Sequence, residues 1–409
     1  MDKCRHNRHQ RAIVGQAIEK GNGILRLSPA WVARDFLPSG RRLGLPEEAY
    51  DAGARGEICE RWLGATNVAD SPLGPADEGL SYIVVDGEKA ISLRDAVQVA
   101  GPAIMGEEYA RTHRGLGRLA KLFDYADRLP YHLHQMKEDA ALVGHNPKEE
   151  AYYFPEGVDM GPHPETFFGV HPWIADQKRY DVLLPYLEAW DSDRILKHAR
   201  AYLLVPGEGF HLPSGVLHAP GSALTIELQE DSDVFAMLQA VVGGKPISKE
   251  LLFKDVRPED RQRYGERVIL GQIDWQVCGD PYFYENRHLE PRPVAETAQE
   301  GGEEYWIYYN TLKFSGKKLV VKPGQTFRSL DRGVYNILVW QGRGRYDGHP
   351  IAAGHFDMDR CMDELLVTHE KAVTPIPVQN TGTEDLVIFK FFGPDVNPHV
   401  PMIPPYKPS

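Results

Sequence analysis

"AYLLVPGEGFHLPSGVLHAPGSALTIELQ", residues 201–229, decides the fold class. Short runs of strand-forming residues alternate with Pro-Gly and Pro-Ser-Gly turns, the rhythm of antiparallel all-β structure. The same plan returns over residues 303–394 in "KKLVVKPGQTF", "VYNILVWQGRGRYDG", "DELLVTHEKAVTPIPVQNTG" and "DLVIFKFFGP". The two stretches share no exact repeat, yet both read as strand, glycine turn, strand, and two small barrels fit this better than one sandwich. The expected fold is therefore mainly β, with two barrels and helical insertions.

Outward from these stretches the pattern changes. "KRYDVLLPYLEAWDSDRILKHA", residues 178–199, sets Leu183, Leu184, Leu187 and Trp190 near helical spacing and predicts an inserted helical pair. "SKELLFKDVRPEDRQRYGERV" reads as helix, and "EPRPVAETAQEGGEE" as an exposed connector that marks a boundary. Residues 2–20 suit a helix, residues 21–105 are rich in Gly and Pro turns, and residues 106–117 suggest a short helix. The expected organisation is an N-terminal extension packed on the core (1–115), a first barrel (116–240) with its insert at about 176–199, a helical connector (241–300) and a second barrel (301–409).

A chain of 409 residues exceeds what one hydrophobic core normally supports. Its net charge of −12 argues against a dedicated binder of phosphate backbones, which needs clustered Lys and Arg. Cys4, Cys59, Cys278 and Cys361 are too scattered for a disulfide framework or a zinc ribbon and read as reduced thiols. No signal-peptide run and no membrane-spanning apolar run is present. We expect a cytoplasmic protein, monomer or homodimer, with a small-molecule partner and neither nucleic acid nor membrane.

The candidate site lies in "HLHQMKEDAALVGHNPKEEAYYF", residues 132–154. On a strand, period-2 geometry points His132 and His134 to one face, as two ligands of one ion require. Glu150 follows a turn-like "GHNPK", so a hairpin brings its carboxylate beside them. His218, at the end of "PSGVLHAPG", completes the set. A lone histidine is ordinarily a hydrogen-bonded wall residue, and His145, His163, His171, His198 and His211 are read that way. Cys4, His6 and His9 read as a solvated helix end. The HxH pair with a downstream Glu and His reads as one divalent metal site, and three imidazoles with one carboxylate suit Zn, Mn, Fe, Co or Ni.

These residues resemble cupin metal sites, and more closely the type I mannose-6-phosphate isomerase family. The likeness runs through His132, His134, Lys148, Glu150 and "AYYF", then "FFGVHP", "PGEGFHLPSGVLHA" and "IELQEDSD", in order over residues 116–235. It implies a two-barrel cupin (double-stranded β-helix) fold and a metal, zinc first, held by His132, His134, Glu150 and His218. His132 stands where many members have Gln. It also implies Lys148 and Glu227 as acid/base residues and a sugar or sugar phosphate as substrate; the plain alternatives are a surface ion pair for Lys148 and a solvent-facing carboxylate for Glu227.

Two departures stand beside the likeness. The family's Arg, four residues after the Asp of the Ser-Asp pair, is Met237 here, and an apolar side chain supplies none of the bidentate donors that favour Arg as a phosphate clamp. Lys245 and Lys249 are possible substitutes, although a charged turn is the plainer role for both. In the second half, Ile376 occupies the place of a cupin's last histidine and His369 has no HxH partner, so this barrel reads as structural or as a pocket wall.

The expected reaction is aldose–ketose interconversion, in which a metal polarises the C1 and C2 oxygens while Glu227 or Lys148 carries a proton through a cis-enediol. A hydride shift is equally admissible. The alternatives are a cupin dioxygenase using Fe, Ni or Mn and a non-catalytic sugar-binding cupin. Tyr152, Tyr153, Phe167, Phe168 and Trp173 are candidates to stack on a sugar, though most should be core.

Overall fold

The computed structural model describes residues 2–71, 73–354 and 358–406, with side chains from residue 6 onward. The run 201–229 folds as strands Ala199–Leu203, Gly209–Leu212, His218–Ala219 and Thr225–Glu230. Successive members fall in two different sheets, because each Pro/Gly turn carries the chain across a barrel. A five-stranded sheet runs in the order Ala199–Leu203, Glu165–Val170, His218–Ala219, His132–Leu133, Ala236–Met237. Facing it is a seven-stranded sheet: His288–Leu289, Gly209–Leu212, Glu150–Tyr153, Thr225–Glu230, Arg118–Phe123, Glu57–Leu63, Ala30–Arg34. Every pairing in both is antiparallel.

The second half repeats the plan with a nine-stranded sheet and a four-stranded sheet. The protein is thus mainly β, a two-barrel cupin architecture with helical additions. Residues 1–115 are dealt to both barrels. Strand Ile24–Leu27 pairs with Glu364–Val367 of the second, while Ala30–Arg34 and Glu57–Leu63 extend the seven-stranded sheet of the first.

Strand Arg118–Phe123 is buried at every position, which explains why "RLAKLF" does not alternate. One face of its sheet lines the first barrel. The other, through Ala120, Leu122, Ile226, Leu228 and Tyr153, packs on Tyr308, Phe389 and Phe391 of the second barrel. Tyr308 Oη donates across this seam to the Ile226 carbonyl at 2.9 Å. Tyr153 and Phe168 are accordingly core, as most of the aromatic candidates were expected to be.

Two helical expectations need correction. Over residues 178–199 the only α-helix is Leu184–Ala189, flanked by the 3-10 turns Tyr180–Val182 and Arg194–His198. Pro185 confines it to a start near that residue, and Trp190, at φ +51°, ends it. The "SKELLFKD…" stretch is likewise broken, into Lys249–Leu252, Pro258–Tyr264 and Arg267–Gly271. Residues 241–300 bury Ile247, Leu252, Phe253, Ile269 and Phe283 in the first barrel's core, so they are wall as well as link.

Among the described residues no helix is long and apolar enough to cross a membrane. Cys59, Cys278 and Cys361 are free thiols, and the Cys4 side chain lies outside the described residues.

An ion cluster ties the N-terminal strands to the second barrel. Arg61, fully buried, donates to both Asp363 oxygens at 2.6 and 2.8 Å and to Glu364 Oε2 at 3.0 Å. Arg61→Ala leaves two buried carboxylates uncompensated and is expected to cost ~3–5 kcal/mol of unfolding free energy, read from a denaturant titration.

Candidate metal centre

Strand His132–Leu133 lies between two others of the five-stranded sheet, and His132 is opposite His218 on one side and Met237 on the other. Leu133 is fully buried in the barrel's hydrophobic core, leaving His132 and His134 on the interior face. The Pro213-Ser214-Gly215 turn then fixes His218. Gly215 adopts φ +83°, a conformation that favours glycine, and its amide donates to the His134 carbonyl at 2.7 Å.

Glu150 arrives by a different route from the hairpin expected. A short helix, Lys137–Leu142, follows the HxH strand and delivers Glu150 to the opposite, seven-stranded sheet. The carboxylate therefore meets the imidazoles across the barrel interior.

Each imidazole is oriented by the backbone. Nδ1 of His132, His134 and His218 lies 2.6, 2.6 and 2.8 Å from the carbonyls of Pro130, Val234 and Val216. A carbonyl only accepts, so each Nδ1 carries the proton and each Nε2 presents a lone pair. Donor atoms of the three rings lie within 4.8 Å of one another. Glu150 joins two of them, with Oε1 3.0 Å from His218 Nε2 and Oε2 3.0 Å from His134 Nε2.

Burial, reinforced by Lys148, lowers His134 to about 3, and burial with His218 holds His132 well below the ordinary imidazole value. Burial opposes ionisation of Glu150, but the Lys148 ammonium holds it well below the usual carboxylate range. His132, His134 and Glu150 are thus in the protonation state that binds metal. His218 Nε2 is buried without a hydrogen-bond partner, a costly arrangement that a cation relieves. Three imidazole nitrogens and a carboxylate fit a divalent transition metal without selecting one.

Tyr152 Oη donates to Glu150 Oε1 and fixes the carboxylate. Tyr152→Phe keeps the ring packed on Phe123 and Phe168 but frees the carboxylate. Metal affinity is expected to fall about 10–100-fold, measured by chelator competition.

Lys148 and Glu227 are both buried beside this set. Lys148 Nζ lies 3.1 Å from Glu150 Oε2, 3.4 Å from Glu227 Oε1 and 3.0 Å from His134 Nε2. Burial disfavours its charge, but Glu227 and Glu150 outweigh this and raise it above the usual lysine value. Burial pushes Glu227 up to about 7 against the pull of Lys121 and Lys148.

The sequence reading missed the continuation of this charge line. Lys121 sits 3.4 Å from Glu227 and 3.9 Å from Glu60, and Arg34 lies 2.9 Å from Glu60 and 3.8 Å from Asp233. Tyr125 Oη donates to Glu60 Oε1 at 2.6 Å. The signal was present as single charges inside apolar strands, Lys121 in "RLAKLF" and Glu60 in "EICERWL", since a buried charge persists only with a partner. All these groups line one cavity of about 990 Å³, which includes Met237 and three of the four proposed ligands, His132, His134 and Glu150.

The remaining candidates fall outside the cavity or at its edge. His163 contacts Asp127 and Glu165, His211 contacts Glu149, and His145 is exposed. Lys249 pairs with Glu266 at 2.6 Å, whereas Lys245 is exposed on the rim. In the second barrel Ile376 is buried beside an interior cluster in which Lys390 meets Asp331 at 2.9 Å and Lys317 meets Asp331 at 2.6 Å.

No family model matches the chain, and no curated protein matches it. Among solved structures it is similar to the mannose 6-phosphate isomerase from Bacillus subtilis, at 15% identity and a TM-score of 0.56, covering 90% of this chain and 99% of that one. It is likewise similar to a point variant of phosphomannose isomerase from Salmonella typhimurium, at 13% identity and a TM-score of 0.59, with 90% and 99% covered. At such identities the likeness shows a shared fold alone, over nearly the whole chain.

Proposed function

We propose that the chain is a divalent-metal-dependent aldose–ketose isomerase acting on a sugar or sugar phosphate, with His132, His134, Glu150 and His218 as the metal ligands. One observation carries this: His132, His134 and Glu150 of the metal-ready set share a cavity with a buried ammonium–carboxyl pair, Lys148 and Glu227, 3.4 Å apart. Zinc is the first ion to try, with Mn, Fe, Co and Ni as alternatives. When bound, the ion supplies Lewis acidity toward the sugar's oxygens.

The chain's own groups supply the rest. In its carboxylate form Glu227 removes the proton on C2 of an open-chain aldose, and the C–H electrons become the C1–C2 double bond of a cis-enediol as the carbonyl oxygen takes up a proton. Glu227 then returns its proton to C1 while the C2 hydroxyl gives up its own proton to the group that had protonated the carbonyl oxygen, so that C2 becomes the carbonyl, the ketose forms and both groups are restored. Lys148, held as an ammonium, donates to the oxygen on which negative charge develops and keeps Glu227 inclined to ionise.

The test is metal analysis of purified protein, with a screen of aldoses and ketoses, free and phosphorylated, by NMR in deuterated water. Interconversion with deuterium at C1 or C2 supports the reading. One equivalent of metal without any isomer formed sinks it.

A further inference from the structure

We infer that the substrate of this site is an uncharged sugar, held at the end remote from the metal by Lys121, Glu60, Arg34 and Asp233; this rests on the isomerase reading above. The two ends are carried by different strands of the seven-stranded sheet. Lys121 stands two strands from Glu150 across the sheet order, roughly 10 Å, and Glu60 one strand further.

A terminal phosphate needs cations with free N–H groups. Most of those lining this cavity are already engaged. Arg34 is held by Glu60 at 2.9 Å, Arg55 by Glu78 at 2.9 Å, and Arg261 by Glu250 at 2.7 Å. Lys254 is held between Asp70 at 3.0 Å and Asp255 at 3.1 Å. Lys121 is shared by two carboxylates. Drawing both Arg34 and Lys121 onto a phosphate takes the two cations from Glu60, 4% exposed, and leaves it only the neutral donors Tyr125 and Trp62. Lys245 alone among the described cavity cations has no carboxylate within ion-pair reach, and it is exposed on the rim, where solvent screens it.

The same line suits hydroxyl groups. Lys121 lies 3.4 Å from Glu227 and 3.9 Å from Glu60, and Arg34 lies 3.8 Å from Asp233, contacts longer than direct hydrogen bonds. Glu227 Oε1 and Asp233 Oδ2 are buried with no hydrogen-bond partner. A hydroxyl both donates and accepts, so one placed between a cation and a carboxylate satisfies both without breaking the pair. A phosphate only accepts, and opposes every carboxylate in the row. Met237, buried beside His132, adds an apolar wall rather than a donor.

The experiment uses the metal-loaded protein with five- and six-carbon aldoses and ketoses and their terminal phosphates, scoring kcat/KM by NMR and affinity by calorimetry. The free sugar is expected to exceed its phosphate by about tenfold or more. Glu60→Gln should raise KM and Kd for that sugar about tenfold while kcat and metal content hold. Asp233→Asn, at a more exposed position, is the second variant should Glu60→Gln fold poorly, and Lys245→Ala should change nothing. A preference for the phosphate that Lys245→Ala abolishes overturns the inference and leaves the isomerase reading standing. Free sugar bound but not converted, with affinity lost in Glu60→Gln or Asp233→Asn, supports the inference and removes the isomerase reading. Binding of neither form, or free-sugar affinity indifferent to both variants, overturns it.

Discussion

His218→Ala is expected to strip the metal and lower kcat/KM by about 10³-fold or more, because an ion that polarises the substrate's oxygens contributes several kcal/mol to the barrier. His218 is the ligand whose Nε2 is buried without a hydrogen bond, so its imidazole is held in a costly state that metal binding relieves. Removing the ring takes one of three converging nitrogens. Elemental analysis should fall from one equivalent to near zero while far-UV circular dichroism is kept. The control is His211→Ala. His211 is equally buried, but its Nε2 lies 2.8 Å from Glu149, so the metal should stay. Loss of metal in both variants would mean that the barrel as a whole, rather than the ligand set, governs binding.

That contrast between two buried histidines shows what the sequence displayed and what it hid. His132 and His134 announce themselves through period-2 spacing, and His218 through the Pro-Ser-Gly turn that delivers it. Local geometry determines both, so both were legible. The route of Glu150 was not. Nothing in "GHNPK" tells a hairpin from a barrel crossing, because that depends on which sheet accepts the returning strand. The far end of the cavity was hidden for the same reason. Arg34 and Glu60 sit about sixty or more residues upstream of Lys121; Glu60 meets Lys121 because Glu57–Leu63 pairs with Arg118–Phe123, placing Trp62 opposite Lys121 and Glu60 opposite Phe123, and Arg34 meets Glu60 because Ala30–Arg34 pairs with Glu57–Leu63. Strand pairing at that separation leaves no local mark. The two-barrel plan was legible because turns are local, and the sharing of residues 1–115 between both barrels was not.

Glu227→Gln is expected to lower kcat by about 10²–10⁴-fold with the metal still bound, the range for loss of a positioned general base. The amide keeps the shape and the place on strand Thr225–Glu230, so a structural role alone would leave kcat nearly unchanged. Solvent deuterium should also cease to enter C1 or C2 in the residual turnover. The pH profile separates a base from a mere neighbour. Burial pushes Glu227 up to about 7, and Lys121 and Lys148 pull it down. The carboxylate form is the active one, so activity rises with pH along the acid limb, and that limb should vanish in Glu227→Gln. Lys121→Met removes one of the two lowering charges and should move the limb to higher pH while leaving the metal in place, because Lys121 touches Glu227 and Glu60 but none of the proposed ligands. A limb that stays put in Lys121→Met, or that persists in Glu227→Gln, would assign the titration to another group and leave Glu227 as part of the wall.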